Sequence, residues 1–382
     1  MIYLDHAATT PLDERVLDAM LPYLRDRYGN ASSVHAAGQE ARRAVDRARG
    51  QVAALIGAAP GEIIFTSGGT EADNLAVSGL PAARRDGRRS IVTSAVEHHA
   101  VLHACEAAAA RGAKLTVVAP DAGGRLDPTA VRAAIDDETA LVTVIAAQNE
   151  LGTLEPVAAI AAAAHERGAL VHTDAVQLAG QLPIDVQALS VDALTLTAHK
   201  LYGPKGVGAL YLRRGTPIEP TLHGGGHERG RRAGTENVAA IVGFGEAASL
   251  AAAEMAERSR RIGELRDRLW QALQDIPGAV RLGDPEHCLP GHLQVRFAGV
   301  DGEALVLNLD LQGVCASMGS ACSAGSLEPS HVLRAIGLDE TTAREGLRLS
   351  VGASNTASDI DAAARALRHI VERQRSLASA HG

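Results

Sequence analysis

The chain is poor in aromatic residues, which make up 2% of its 382 positions. Proteins that bind single-stranded nucleic acid stack bases on aromatic side chains, so we expect no direct nucleic-acid binding. A net charge of −8 likewise provides no general attraction to nucleic acid or to anionic membranes. The 46% hydrophobic and 21% charged residues are ordinary globular proportions, which exclude a disordered chain and leave room for about two domains.

Cysteine is also scarce, and no two cysteines form a C-x-x-C pair. The four are Cys105, Cys288, Cys315 and Cys322. Such a small, scattered set predicts neither a disulfide framework nor a zinc ribbon. A cysteine in an unusual setting is therefore expected to have a chemical role.

Targeting signals are not evident in the sequence. Residues 1–10 include Asp5 and His6, where a signal peptide needs a basic start and an apolar run. The most apolar later stretch begins at Val238 and is interrupted by Glu246 and Glu254, so we predict no membrane span. The expected location is the cytoplasm.

Seven short apolar runs alternate with alanine-rich segments of helical period. This alternation predicts an α/β domain with a mostly parallel seven-stranded sheet flanked by helices. Continuously hydrophobic strands are typical of sheets covered on both faces. The predicted strands are 62–66, 90–95, 114–119, 141–147, 169–173, 193–197 and 208–212.

The pattern changes in the last third of the chain. A long helical segment, interrupted only by glycines, is predicted over 237–275, and scattered strands and helices follow Pro277. We predict a large domain over 10–256 and a smaller α+β domain over 257–382 that also takes in residues 1–9.

Polar side chains cluster just beyond the predicted strands. In open α/β sheets ligands bind beyond the carboxyl ends of the strands, so one pocket is expected to collect these clusters. They are Ser67 to Thr70, Glu97 to His99, Gln148 to Glu150, Asp174 with Gln177, and Thr197 to Lys200.

The first cluster, Ser67-Gly68-Gly69-Thr70, combines a glycine turn with the start of a helix. Free backbone amides at a helix start favour a phosphate group. The same pattern is also typical of a plain glycine turn before a helix.

Lysine occurs only at Lys114, Lys200 and Lys205. Lys114 precedes a strand and is expected on the surface, while Lys205 lies in a glycine-rich turn that suits either a phosphate or solvent. Lys200 follows His199 at a strand end, where a pocket is expected. An amine there can bond covalently to a carbonyl group, although it can also simply leave the sheet.

Asp174 and His98 fit a pyridine cofactor beside Lys200. A carboxylate at a neighbouring strand end suits a pyridine nitrogen, and an imidazole can stack on the ring or move protons. Alternatively, Asp174 only caps a helix. A metal site of His99 and His103 together with Glu97 is a further alternative, but nothing in the sequence fixes a third ligand beside the two histidines, and we predict no metal.

The segment 316–326 carries Cys322 among glycine, serine and alanine. Small neighbours suit a thiolate that has to move or be exposed, so we predict a mobile loop with a reactive cysteine. Arg348 can hold a substrate carboxylate with its two-pronged guanidinium, or lie on a strand without such a role.

Taken together, these stretches resemble the NifS/IscS-like cysteine desulfurases, within the fold-type-I pyridoxal phosphate (PLP) enzymes. The resemblance runs along essentially the whole chain, and the lysine and cysteine segments together are highly specific. The matching stretches begin at Tyr3, Glu62, Glu97, His172, Ala198, His223 and Gly319, and read YLDHAATTP, EIIFTSGGTEADN, EHHAVL, HTDAVQ, AHKLYGPKGVGALY, HGGGHERGRRAGTEN and GSACSAGSLEPSHVLRAIG.

The resemblance implies a role for each matching residue. Lys200 bonds covalently to PLP and later moves protons, and His98 stacks on the ring. Asp174 pairs with the ring nitrogen and Gln177 with the ring oxygen. The residues implied to hold the phosphate are Gly69, Thr70, Thr197, His199 and, from a neighbouring subunit, Thr235.

The resemblance also implies the reaction. Asn149 and Arg348 orient L-cysteine against the cofactor, Cys322 takes its sulfur as a persulfide, and L-alanine leaves. A homodimer and a sulfur-acceptor protein, such as an iron-sulfur scaffold, are the implied partners. Which acceptor is used is not encoded in any recognisable residue pattern.

Three other functions are compatible with parts of the pattern. A selenocysteine lyase or an aminotransferase has the same cofactor residues, although aminotransfer has no need of Cys322. A catalytically silent scaffold in iron-sulfur assembly is the third. Retention of Lys200, Asp174, His98 and Cys322 together favours the desulfurase.

Overall fold

The computed structural model describes residues 1–319 and 329–381, so Cys322 and the rest of the predicted loop from residue 320 onward lie outside the described residues. The strands are β1 (Ile2–Tyr3), β2 (Ile63–Thr66), β3 (Ser90–Ser94), β4 (Leu115–Val118), β5 (Thr139–Ile145), β6 (Leu170–Asp174), β7 (Ala193–Thr197), β8 (Gly208–Leu212), β9 (Ala279–Leu282), β10 (His292–Phe297), β11 (Val314–Cys315) and β12 (Gly346–Ser350). The helices are α1 (Glu14–Arg25), α2 (Ala36–Leu55), α3 (Gly69–Ala82), α4 (His99–Ala110), α5 (Pro128–Ala134), α6 (Val157–Glu166), α7 (Val186–Leu189), α8 (Val238–Leu273), α9 (Gly302–Leu311), α10 (His331–Ala335), α11 (Glu340–Ala343) and α12 (Ala357–His381).

The main sheet has seven strands in the order β2-β8-β7-β6-β5-β3-β4. Strand β8 runs antiparallel to β2 and β7, and the other neighbours are parallel. Every residue of β2, β3, β5, β7 and β8 is buried, as expected for strands covered by helices on both faces. The predicted fold class, a mostly parallel seven-stranded sheet flanked by helices, is confirmed.

Helix α8 is continuous over 36 residues, which agrees with the long helical segment predicted over 237–275, and its glycines do not interrupt it. A Cβ added to Gly243 would lie 2.6 Å from the Met20 sulfur, and one added to Gly245 would lie 2.6 Å from the Ala48 Cα. These glycines therefore let α1 and α2 pack closely against α8, and the packing offsets their low helix propensity.

By length and composition alone, α8 is also the one described helix that is long and apolar enough to cross a membrane, despite Glu246 and Glu254. Half of that apolar stretch is buried inside the protein. Its inward residues, including Ala247, Ala248 and Ala251, belong to the core against the main sheet.

The described residues form two large hydrophobic cores, and α8 contributes to both. Its residues up to Ala251 pack into the core of the main sheet. Its residues from Ile262 pack with Leu4 and α12 around a three-stranded antiparallel sheet of order β12-β10-β9. The predicted domain boundary between residues 256 and 257 falls within this helix and stays a prediction.

Candidate active site

A cavity of about 270 Å³ lies where β5, β6 and β7 end. Ile145, Asp174 and Thr197, the last residues of these strands, all line it. Ten of the twelve residues predicted from the sequence meet there: Gly69, Thr70, His98, Asn149, Asp174, Gln177, Thr197, His199, Lys200 and Arg348. The carboxyl ends of neighbouring parallel strands thus collect side chains that are far apart in the sequence.

The two other predicted residues are not among those that line the cavity. Cys322 lies outside the described residues. Thr235 is exposed in the connection between β8 and α8. Its neighbour Glu236 is buried and accepts a hydrogen bond of 3.1 Å from Arg42. This ion pair anchors the connection to α2 beside a surface-exposed Thr235.

Lys200 lies in a single helical turn directly after β7. Its Nζ donates hydrogen bonds to the carbonyl oxygens of Ala7 and Ala8, the latter at 2.7 Å. The Gln177 side chain donates to the same Ala7 oxygen at 2.9 Å. Residues 7 and 8 therefore form one wall of the cavity, a role that the sequence analysis missed because a backbone carbonyl leaves no side-chain signal.

Asp174 is 4% exposed, and its Oδ1 accepts a hydrogen bond of 2.8 Å from the Val176 amide. Burial raises the pKa of Asp174 to about 6, although that amide and Lys200 lower it. Burial and the charge of Asp174 also raise the pKa of Asp73, a further cavity residue that the sequence analysis missed. Two crowded carboxyl groups favour a cationic atom of a ligand at this position.

The histidines of the cavity are held neutral. Burial and the charge of Lys200 lower the pKa of His98 to about 4 and that of His199 to about 4. The His98 Nδ1 accepts a hydrogen bond of 3.1 Å from the Ala100 amide at the start of α4, which places the ring proton on Nε2. The His199 Nδ1 lies 3.1 Å from the Thr9 hydroxyl. Neutral rings of fixed orientation suit stacking and proton transfer.

The glycine loop precedes the 14-residue helix α3, which starts at Gly69. A Cβ on Gly69 would lie 2.9 Å from a methyl group of Val176, and one on Gly208 would lie 2.6 Å from the Gly68 carbonyl carbon. Both glycines thus permit close approach of the loop to the strand ends. Free amides at the start of α3 and the nearby Lys205 form an anion-binding setting.

Arg348 enters the cavity from β12 and is 2% exposed. Its Nη2 donates to Asp5 at 2.8 Å, and its Nη1 donates to the carbonyl oxygens of Asn149 at 2.9 Å and Gly319 at 3.0 Å. Within the described residues its Nε has no hydrogen-bond partner. The ion pair with Asp5 joins positions 343 residues apart, and no sequence pattern predicts it.

The alternative metal site gains no support from the geometry. The buried Glu97 carboxylate accepts hydrogen bonds from the Ser94 hydroxyl and, at 2.9 Å, from the Ile145 amide. The rings of His99 and His103 stack with their centroids 4.9 Å apart. Over residues 1–319 and 329–381, no three histidine, cysteine, aspartate or glutamate side chains are placed to hold a metal ion.

Comparison with known proteins matches residues 2–363 to the family described as aminotransferase class-V. The chain is 45% identical over 376 residues to cysteine desulfurase IscS of Methanosarcina thermophila, covering 98% of this chain and 93% of that one. It is 48% identical over 374 residues to putative cysteine desulfurase IscS 1 of Bacillus subtilis strain 168, covering 97% and 99%.

The solved structure of a NifS-like protein superimposes with a TM-score of 0.92 at 36% identity, and the match covers 97% of this chain and 99% of that one. Sequence and fold agree over nearly the whole length of each of these chains. The chain therefore belongs to the class-V aminotransferase family, among its cysteine desulfurases of the IscS/NifS type.

Proposed function

We propose that this protein is a PLP-dependent cysteine desulfurase that moves sulfur from L-cysteine to Cys322. The observation that carries the proposal is the juxtaposition of Lys200 and Asp174 at adjoining strand ends, in one cavity with the start of α3. An amine, a buried carboxylate and an anion-binding helix start are the three groups that a phosphorylated pyridine aldehyde needs.

The described side chains fit PLP group by group. Asp174 suits the ring nitrogen, because its crowded carboxylate favours a positive partner. The start of α3 at Gly69 and Thr70, with Thr197 and His199, suits the phosphate. Gln177 lies within the same cavity for the ring oxygen, His98 for the ring face and Lys200 for the covalent bond. When bound, PLP supplies an electron sink for negative charge at the substrate α-carbon.

The protein's own residues then bind and orient the substrate. Arg348 suits the carboxylate of L-cysteine, since guanidinium groups bind carboxylates in a fixed, two-pronged geometry. Asn149 lies beside it at the turn after β5. Lys200 is the one lysine that lines the main cavity, and it moves protons at the α-carbon and Cβ of the substrate.

In the overall reaction, the bond from Cβ to sulfur in L-cysteine breaks and a sulfur–sulfur bond forms at Cys322. The Cys322 thiolate is the nucleophile, the products are L-alanine and a Cys322 persulfide, and no external oxidant is needed. A homodimer in which Thr235 reaches the neighbouring site, an iron-sulfur scaffold as acceptor, and a cytoplasmic location belong to the same proposal. The exposed position of Thr235 is compatible with a contact to a neighbouring subunit, and the names of the curated relatives support the transfer of sulfur from cysteine.

The decisive experiment measures L-alanine released from L-cysteine, with a reductant present, by the parent, Cys322→Ser and Cys288→Ser. Cys288 is a suitable control because it is a free, half-buried thiol that is not among the residues that line the cavity. We expect release by the parent and the control only, together with a persulfide that mass spectrometry locates on Cys322.

Equal release by Cys322→Ser would show that sulfur leaves without this thiol and would overturn its role. No release by the parent, with PLP bound, would overturn the desulfurase itself. A much higher turnover with L-selenocysteine than with L-cysteine would favour a selenocysteine lyase instead.

A further inference from the structure

The side chain of Glu150 lies between the two described ends of the segment that carries Cys322. The Ser330 hydroxyl, just after this segment, donates a hydrogen bond of 2.6 Å to Glu150 Oε2. A Cβ added to Gly319, just before the segment, would lie 2.5 Å from the same oxygen. One buried carboxyl group thus contacts both ends of the segment 320–328.

The end at Gly319 is held tightly. Its amide donates to the Ser317 hydroxyl at 3.1 Å, and its carbonyl oxygen accepts from Arg348 at 3.0 Å. Its φ is +116°, a conformation that side chains disfavour, and any Cβ would collide with Glu150. An alanine at this position would therefore add backbone strain and displace the Glu150 side chain.

The end at Ser330 is equally well defined. Its hydroxyl donates to Glu150 and accepts a hydrogen bond of 3.1 Å from the Leu333 amide at the start of α10. The backbone of Glu150 is itself fixed, because its amide donates to the buried Gln148 side chain at 2.6 Å. The Glu150 carboxyl group therefore has a fixed position, and the hydrogen bond from Ser330 attaches the start of α10 to it.

Glu150 is 1% exposed and is not among the residues that line the cavity. A carboxyl group at this depth is costly for the fold: burial raises its pKa to about 7, although Ser330 and Arg348 lower it. A leucine would fill the space at lower cost in stability but would offer Ser330 no acceptor, so the oxygen of this side chain calls for a role beyond packing.

We propose that Glu150 is a positioning residue for Cys322. Its carboxyl group holds Gly319 and Ser330, on either side of residues 320–328, at a fixed separation beside Arg348. The inference rests on the proposed function, because it concerns the step in which Cys322 takes the sulfur. It assigns Glu150 to that step, and not to binding of cofactor or substrate.

The test separates these two steps in single turnovers of the holoenzyme with L-cysteine. The change in cofactor absorbance reports substrate binding, and alkylation followed by mass spectrometry reports the persulfide on Cys322. We expect Glu150→Ala to slow persulfide formation roughly tenfold, as for the loss of one hydrogen bond of about 1.4 kcal/mol, with the absorbance change unaltered. Glu150→Gln keeps an oxygen acceptor for Ser330 and should stay within about twofold of the parent.

Variants of Ser330 test the same link if Glu150→Ala does not fold. Ser330→Ala should slow persulfide formation to a similar degree. Ser330→Thr keeps the hydroxyl and should form the persulfide at the rate of the parent. The double variant Glu150→Ala/Ser330→Ala should be no slower than either single variant. Glu155→Gln is the matched control, because Glu155 is also a buried glutamate but bonds to the Leu126 amide at 2.8 Å. It should leave both steps unchanged.

An unchanged rate in both Glu150→Ala and Ser330→Ala would overturn the proposal, as would an equal slowing of both steps or additive effects in the double variant. Failure of the proposed function looks different. In that case the parent itself would form no persulfide on Cys322, whatever residue stands at position 150.

Discussion

The two sides of the cavity are built in different ways. On the cofactor side, the residues come from the ends of strands in one sheet. Asp174 is the last residue of β6, and His98 and Lys200 lie a few residues after the ends of β3 and β7. On the substrate side, Arg348 comes from the smaller antiparallel sheet and is held by Asp5 and by the carbonyl oxygen of Asn149.

The difference shows what fixes the positions of the side chains on each side of the cavity. Parallel strands bring their carboxyl ends to one edge by sheet geometry alone, so the cofactor side follows from the strand order. The substrate side depends on contacts among four separate segments: the N-terminal segment, the turn after β5, the residues before 320, and β12. We therefore expect changes on the cofactor side to abolish chemistry, and changes on the substrate side to alter binding and alignment.

The largest expected effect is that of Lys200→Ala. Loss of the amine removes both the covalent attachment and the proton carrier, so release of L-alanine should fall by roughly 10²- to 10⁴-fold or more. The control Lys114→Ala removes an exposed lysine that pairs with Asp136 at 2.5 Å and should retain full activity. If Lys200→Ala kept a tenth of the parent rate, the cofactor side would not perform the chemistry.

The next effect is that of Arg348→Lys. A single ammonium group cannot hold Asp5, two carbonyl oxygens and a substrate carboxylate, so kcat/KM for L-cysteine should fall roughly tenfold to hundredfold, mainly through KM. Bound PLP, measured by absorbance, should be unchanged. Arg296→Lys is the matched control, since Arg296 lies on the neighbouring strand β10 and pairs with Glu345 at 2.8 Å. A fall in kcat with constant KM, or loss of PLP, would contradict the assignment of Arg348 to the substrate side.

The smallest expected effect is on stability. The test compares the Tm of the parent with that of Glu150→Gln as a function of pH. The folded-state pKa of Glu150 is about 7, raised from an ordinary value of 4.5, so its protonated form favours the fold. That contribution is fully present below about pH 4.5 and is lost as the pH rises through 7. Glutamine does not titrate, so the variant should gain in Tm over the parent between pH 5.5 and 8.5, by on the order of 3 °C.

The control for this measurement is Glu138→Gln, which removes an exposed carboxylate. Its Tm difference from the parent should be the same at both pH values. A constant difference for Glu150→Gln as well would show that the buried carboxyl group does not titrate in this range. Ionisation of the buried Glu150 carboxyl group would then not destabilise the folded protein at neutral pH.

Much of the fold was predictable because each element is locally specified. All seven strands of the main sheet were predicted to within two residues at either end, since buried parallel strands read as short apolar runs. The long helix α8 was also predicted, but only the contacts with Met20 and Ala48 show why it tolerates Gly243 and Gly245, since glycine lowers helix propensity.

The residues of the candidate site also fall into two groups: those recognisable in the sequence and those whose role only the structure shows. Lys200 and Asp174 were recognisable, since a scarce amine and a carboxylate at strand ends are chemically distinctive. Asp5 and Asp73 were not, because a carboxylate in a loop or a helix is common and only its partners reveal its role. The roles of Thr235 and Cys322 stay predictions.

The sequence by itself determined the strand pattern, the cofactor-side residues and the family, because hydrophobic period, residue chemistry and motif spacing are local properties of the chain. Only the tertiary structure decided that Arg348 pairs with Asp5, that the carbonyl oxygens of Ala7 and Ala8 face Lys200, and that Glu150 contacts both Gly319 and Ser330. These contacts join residues separated by up to 343 positions, and their geometry depends on how the two sheets pack, which no local pattern specifies.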